Sequence, residues 1–472
     1  MLIKNGIIID PGEDRMFKAD LLIREGKILS VHEWESLSAP EGENHPLSEG
    51  KTLSASEGKT LSAPEGKALS APEGKTLSAP EGEIIDASGL YIAPGLADTH
   101  VHFRDPGFTH KEDILTGAMA AAAGGFTEVI MMANTSPRID NPAVLKEVLD
   151  KGKTTGIRVH ACANVTLGMK GEKLTDLEGL KAAGALGFTD DGIPLMNEGI
   201  VKEAMRKAAL LNVPLSFHEE DPSLIGNNGI NRGKASAYFK VEGSPGEAEI
   251  SLIKRDIGIA KEVQEEMSGK SDGPVFVIQH ISTKEGVELV REAKRSGLSI
   301  HAEATPHHFS LTEEAIIRHG SYAKMNPPLR TEEDRIAILE GLRDGTIDLI
   351  ATDHAPHTKE EKDVPVTEAP SGITGLETSL SLAIRELIIP GILDYPELLC
   401  RMSLSPRKLY GLPGGRIEEG GAADLVLFDP EAEWEVTPEH LHSKSKNTPF
   451  LGEKLPGVVR MTICGGNIVY RA

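Results

Sequence analysis

Eight short apolar runs alternate with amphipathic stretches between Pro94 and Gly411, and this alternation restricts the fold more than any other feature. In chain order the runs are GLADTHVH, TEVIMMAN, IRVHACANV, GALGFTDDG, VPLSFHEE, PVFVIQHIS, LSIHAEATPH and IDLIATDHAP. Between them lie stretches such as KEDILTGAMAAAAGG, NEGIVKEAMRKAALLN, TKEGVELVREAKRSG and EEDRIAILEGLRDG, which read as helices. The pattern predicts an α/β fold, a closed (β/α)8 barrel, with an open doubly wound sheet as the competitor. Neither G-x-G-x-x-G nor G-x-x-x-x-G-K-[ST] occurs, which weakens the nucleotide-binding sheet.

Both ends of the chain read as β-structure. LIKNGIIID, ADLLIREGKILSV and EIIDASGLYI precede the alternating region, and ADLVLFD and VVRMTICGGNIVY follow it. They predict a small β-sandwich built from both termini, with residues 1–93 as its N-terminal part, 94–411 as the barrel and 412–472 as its C-terminal part. Variants of LSAPEGKT recur every eight residues between 37 and 83. Each unit supplies about one Leu and no aromatic residue, too little apolar area to offset the ~1 to 2 kcal/mol per residue of backbone ordering, so the repeat is expected to be a disordered surface insertion.

Composition removes several classes of function. Lys and Arg number 50 against 72 Asp and Glu, a formal charge of -22 whose field repels phosphate backbones and anionic membranes. No apolar run approaches the roughly 18 to 20 residues needed to span a bilayer. Nothing in MLIKNGIIIDPGEDR marks it for export. Cys162, Cys400 and Cys464 form no C-x-x-C pair, which argues against disulfides or a thiolate zinc site and fits a cytoplasmic protein.

The chemistry gathers at the carboxyl ends of the strands, where a barrel opens its active site. His100 and His102 end the first run, Asn134 the second, Asp190 and Asp191 the fourth, His218 the fifth, His280 the sixth and Asp353 the eighth. Two-residue spacing puts His100 and His102 on one face. If the bulky Leu186 and Phe188 pack outward, Asp191 faces inward; by the same logic Phe217 faces outward and Ser216 and His218 inward. Alternation does not choose between Asp353 and His354. Four imidazoles and two carboxylates exceed what one tetrahedral zinc needs, and two metals sharing a carboxylate use them fully, which predicts metal-assisted hydrolysis. Arg104, Asn134, Asn326 and His357 lie at or beyond strand ends, suited to a substrate carboxylate and an amide-like ring. His32, His45, His160, His319, His440 and His442 read as surface or loop residues.

PGLADTHVHFRDPG, FTDDG, QHIS with its following TKE, KMNPPLR, ATDHAPH and SKNTPF, in this order, resemble the type I dihydroorotases of the amidohydrolase superfamily. The resemblance covers nearly the whole chain except the repeat. It implies a (β/α)8 barrel with a small β-sandwich, and two Zn2+ ions held by His100, His102, Asp191, His218, His280 and Asp353, bridged by Asp191 and a hydroxide. It makes Asp353 the general acid/base and Arg104, Asn134, Asn326 and His357 the groups that bind dihydroorotate. The implied reaction is the reversible interconversion of (S)-dihydroorotate and N-carbamoyl-L-aspartate in pyrimidine synthesis.

Two departures from the family pattern stand out. The usual Met-Pro-Asn-Thr reads MANT at Met132 to Thr135, and the usual Pro-Phe-Gly of the late substrate loop reads Pro370, Ser371, Gly372, so Ser371 and Gly372 are expected to contact substrate through backbone. Hydantoinases and allantoinases, the alternative reading, bridge their metals with a carboxylated lysine, whereas the fourth run here offers no lysine. A further alternative is an inactive homologue partnering aspartate transcarbamoylase, against which the complete ligand set argues. A small-molecule substrate, no nucleic acid and no membrane are expected; a homodimer and an association with aspartate transcarbamoylase are compatible with the sequence.

Overall fold

The computed structural model describes residues 1–37, 83–269, 271 and 273–472. The octapeptide repeat, apart from Leu37 and Glu83 at its edges, and His45 within it lie outside the described residues. The strands run β1 Leu2–Asp10, β2 Arg15–Arg24, β3 Lys27–Leu37, β4 Ile84–Asp86, β5 Tyr91–Pro94, β6 Leu96–Val101, β7 Phe126–Met131, β8 Arg158–Ala161, β9 Leu215–Phe217, β10 Phe276–Ile278, β11 Ile300–Ala304, β12 Leu349–Ile350, β13 Leu425–Glu435, β14 Lys454–Cys464 and β15 Asn467–Arg471.

The two chain ends share one sheet in the order β15-β14-β13-β5-β1-β2-β3, with β4 beside β1. The join is the antiparallel pairing of β13 with β5, in which Leu425 faces Pro94 and Phe428 faces Tyr91. Alternating residues of these strands, among them Ile3, Ile8, Phe17, Leu21, Ile92, Leu425, Leu427 and Ile463, bury one another in a core of their own, which gives the expected sandwich.

Two parallel sheets, β6-β7-β8 and β12-β11-β10-β9, form the rest of the β-structure, and single bridges close them into a barrel. Phe188 bridges Ala163 on one side and Leu215 on the other, while Val101 bridges His354. GALGFTDDG, expected as the fourth strand, therefore keeps its place in the ring: Leu186 and Thr189 donate to the Ala161 and Ala163 carbonyls on one side, and Phe188 donates to the Pro214 carbonyl on the other. At Gly187 the chain runs close to its neighbours: a Cβ there would stand 3.0 Å from the Pro214 carbonyl and 3.1 Å from the Tyr410 ring.

Five of the helices between the strands start on side-chain caps. Asp113, Asn141, Asn197, Thr283 and Thr331 each accept a backbone N–H of the first turn of the helix that follows. Their buried faces pack on the outward residues of the strands, including Val129, Val159, Phe188, Phe217 and Phe276, in one continuous shell. Among the described residues no helix is long and apolar enough to cross a membrane, and Cys162, Cys400 and Cys464 are free.

A buried arginine ties the last helical segment to the first two barrel strands. Arg407 is 1% exposed; it donates to the Gly95 carbonyl at 2.9 Å and to Thr127 Oγ1 at 3.0 Å, and its Nε stands 3.0 Å from Glu128. Removing one member of such a pair leaves the other charge buried, so Arg407→Met is expected to cost about 3 to 5 kcal/mol of stability. A denaturation midpoint within error of the wild type would contradict this account.

Candidate active site

The end of the barrel at the carboxyl termini of the strands holds a cavity of about 300 Å3. His102, Asp191, His218, His280 and Asp353 line it together with Arg104, Asn134, Asn326, His357, Ser371 and Gly372. His100, 0% exposed, contacts the same group from below the floor. All twelve residues singled out in the sequence thus come together, from both halves of the barrel. A larger cavity, about 540 Å3, opens at the other end of the barrel among Lys181, Pro214, His301, Asp348 and Tyr410 and contains none of these groups.

Local backbone explains how the side chains converge. His102 follows His100 by one strand period, and Phe103 between it and Arg104 packs outward into the shell. Arg104, His280 and Asp353 carry φ angles of 58°, 32° and 46°, a left-handed conformation that side chains rarely adopt. His280 also breaks the alternation of its strand. Gln279 donates to Thr189 inside the barrel at 3.3 Å, yet the next residue, His280, also joins the cluster. Asp353 turns inward while His354 turns away to Glu112, 3.5 Å off, and accepts the Gly375 N–H. Asp191 faces the cluster, whereas Asp190 accepts the Val165 and Thr166 N–H groups at 2.9 and 3.2 Å in the neighbouring loop.

Three overlapping triads, His100–His280–Asp353, His100–His102–Asp191 and Asp191–His218–His280, each bring their ligand atoms within 4.8 Å of one another. His100 Nε2 and His280 Nδ1 are buried without a hydrogen bond. The Asp191 and Asp353 oxygens stand 3.5 and 3.4 Å from His100 Nε2, and Asp191 Oδ2 stands 3.4 Å from His102 Nε2. Ligand atoms bonded to one tetrahedral zinc at its usual bond lengths lie about 3.4 Å apart, so these gaps suit a cation better than a hydrogen bond. His102 to Asp353 and His218 to His280 are closer, both 2.9 Å. The donor set, all imidazole and carboxylate, fits divalent metals.

Burial opposes charge on these groups, but their mutual attraction prevails. The Asp191 carboxyl is desolvated, yet His100, His280 and His102 hold it well below the usual carboxylate range. Asp353, also desolvated, is held low by His100, His102 and His280. Conversely, Asp353, Glu303 and Asp191 lift His100 well above the ordinary imidazole value against its burial. His357 behaves differently: burial and the neighbouring Arg104, Lys111 and Lys362 push it down to about 3, so it is neutral near pH 7. Its Nε2 stands 3.4 Å from Arg104, and its Nδ1 stands 3.2 Å from Glu361 and 3.4 Å from Lys111.

Around the cluster stand groups that the sequence reading did not single out. Glu303 accepts from His100 Nδ1 at 2.6 Å and from Thr99 Oγ1 at 3.0 Å, which aims Nε2 at the cluster. Glu220 lies 3.4 Å from His218 and 3.4 Å from Arg330. Strand parity held the signal for Glu303, which lies within LSIHAEATPH on the same face as His301; Glu220 sits beyond its strand, where parity lapses. Asn134 bridges two of the clustered residues, its Oδ1 3.0 Å from His102 Nδ1 and its Nδ2 3.0 Å from Asp191. Asn326 Nδ2 stands 3.1 Å from His218 Nε2. His160, read as a surface or loop residue, is instead on β8 and paired with Glu128 at 2.9 Å, its side chain 24% exposed.

Comparisons with known proteins agree with this architecture. A family described as dihydro-orotase-like matches residues 89–286, and the amidohydrolase family matches residues 342–470. A dihydroorotase of Clostridioides difficile is 47% identical over all of both chains, and one of Lactococcus lactis is 45% identical over 100% of this chain and 99% of the relative. A dihydroorotase of Clostridium acetobutylicum is 50% identical over 82% of this chain and 89% of its own. Among solved structures, the L-hydantoinase (dihydropyrimidinase) of Arthrobacter aurescens superposes with a TM-score of 0.79 at 24% identity, covering 100% of this chain and 96% of the other. The dihydropyrimidinase of Brevibacillus agri gives 0.79 at 21% identity over 100% and 95%.

Replacing the partner of a ligating histidine costs metal affinity, so Glu303→Gln is expected to weaken divalent-cation binding about 10- to 100-fold. Competition with a chromophoric chelator measures it; wild-type affinity in the variant would remove Glu303 from this role.

Proposed function

The chain belongs to the dihydroorotase family, and from that membership and the geometry of the cavity we propose that it interconverts (S)-dihydroorotate and N-carbamoyl-L-aspartate in de novo pyrimidine synthesis. The observation that carries the proposal is the overlap of three ligand triads beside Asp353, on the floor of a cavity whose wall contains Arg104. His100, His102, Asp191, His218, His280 and Asp353 would hold two zinc ions, with Asp191 shared between them. Such a pair, when bound, supplies polarisation of the amide carbonyl and lowers the pKa of water toward ~7.

The chain's own groups divide the remaining work. Asp353 stays ionised in the cluster, which suits it to take a proton from the attacking water and deliver it to the departing ring nitrogen. Arg104 offers the substrate carboxylate a planar, permanently charged fork. Neutral His357 stands beside it and adds a hydrogen-bonding group without a second charge. Asn326, with Ser371 and Gly372, contributes amide and backbone groups for the ring, and Asn134 holds His102 and Asp191 from the rim.

A hydantoinase or allantoinase shares this fold but acts on a ring without a carboxylate, for which Arg104 would have no partner. Turnover of dihydroorotate, hydantoin and allantoin by the purified protein, with metal analysis, separates the readings; the proposal requires dihydroorotate to be preferred. Asp353→Asn should lower turnover about 10²- to 10⁴-fold while metal content stays near that of the wild type. Turnover surviving that substitution would remove Asp353 from acid–base chemistry.

A further inference from the structure

Two buried side chains that do not line the cavity hold the loops that do. Between β13 and β14 the chain leaves the terminal sheet, and its SKSKNTPF segment, residues 443–450, packs against the barrel mouth. Ser443 donates to Glu112, and Ser445 Oγ donates to the Lys111 carbonyl at 2.6 Å. Asn447, 2% exposed, uses every polar atom of its side chain. Its Oδ1 accepts the His357 N–H at 3.0 Å, while its Nδ2 donates to the carbonyls of Ala355 and Gly372, both at 3.0 Å.

Lys362 holds the same loop from another direction. It is 0% exposed and donates from Nζ to the Pro370 carbonyl at 2.9 Å and the Gly372 carbonyl at 3.0 Å. The Gly372 carbonyl thus accepts from both side chains. At Gly372 the φ is 150°, and a Cβ there would stand 2.6 Å from the Ala355 carbonyl and 2.7 Å from the His357 ring. The two loops therefore touch, and their spacing depends on hydrogen bonds behind the wall.

We propose that Asn447 and Lys362 are positioning residues for substrate recognition: they clamp the 355–357 and 370–372 loops together and so set the width of the slot that receives the carboxylated ring. The inference rests on the dihydroorotase reading above. It gives the terminal sheet a part in recognition, because the segment that carries Asn447 is a connection of that sheet. Asn447→Asp keeps the acceptor for the His357 N–H but turns an anionic oxygen toward two carbonyls. Asn447→Ala removes all three bonds, and Lys362→Met keeps the length of the side chain without its donors.

The three variants are compared with the wild type for kcat, KM for dihydroorotate, inhibition constant for orotate as a carboxylated ring, metal content and thermal midpoint. KM and the orotate constant should rise together by about 10- to 100-fold, because a misplacement near 1 Å has that scale of effect, while kcat stays within about threefold. Metal content should match the wild type. Folded variants with unchanged KM and orotate constant would overturn the inference, as would a kcat that falls together with metal content. Failure of all three to fold would assign the two residues to stability alone and overturn it as well. A wild type that does not turn over dihydroorotate would sink the functional reading and the inference with it.

Discussion

Burying four imidazoles and two carboxylates at one point obliges the rest of the barrel to compensate charge. An isolated ionised group in a dry interior costs far more than a domain's net stability, so such a cluster persists only if opposite charges and hydrogen bonds satisfy each member. The structure meets this in layers. The carboxylates of Asp191 and Asp353 face the imidazoles, Glu303 and Glu220 stand behind His100 and His218, and Arg330 stands behind Glu220. The nitrogens of His100 and His280 without a hydrogen bond are ones that a cation could satisfy. The left-handed backbone at Arg104, His280 and Asp353 belongs to the same economy, since strain is tolerated where surrounding structure over-determines the conformation.

Alternation marks the boundary between what the sequence made legible and what it did not. Period-two reasoning found Asp191 in preference to Asp190 and put Phe217 outward with His218 inward, because those segments are extended. It could not choose between Asp353 and His354, because alternation gives two adjacent residues opposite faces without saying which face is the interior. The likeness to a family supplied that choice where pattern could not. The barrel and the sandwich were legible because alternation is a property of whole segments, robust to one misplaced residue. The fourth strand shows the limit, since its place in the ring was readable but the reduction of its ladder to single bridges with Ala163 and Leu215 was not.

Supporting residues were harder to read than ligands for a different reason. Glu303 and Glu220 belong to residue types that usually face solvent, and only their partners reveal them. Asn447 lies 90 residues from His357 in sequence, and nothing local marks it as anything but a loop asparagine. SKNTPF was visible as a motif, yet its use became apparent only when folding placed it against the ATDHAPH and PSG segments. Motifs near a cluster announce chemistry; those that brace it announce themselves only through contacts.

The chain's charge is the last point at which composition and site must be reconciled. A net -22 repels an anionic substrate at long range, yet the site proposed here takes one. Screening resolves the conflict, because at physiological ionic strength exposed charges beyond about 8 Å contribute little. What the substrate meets near the mouth is local: Arg104, Lys111 and Arg138 line a hollow that adjoins the cavity through Arg104, Asn134 and Asp191. Neutral His357 keeps the site from accumulating more positive charge than a single carboxylate can use. Acidic composition therefore restricts which macromolecules the surface tolerates, while the choice of small anion proposed here is left to a few half-buried cationic side chains at the end of the barrel.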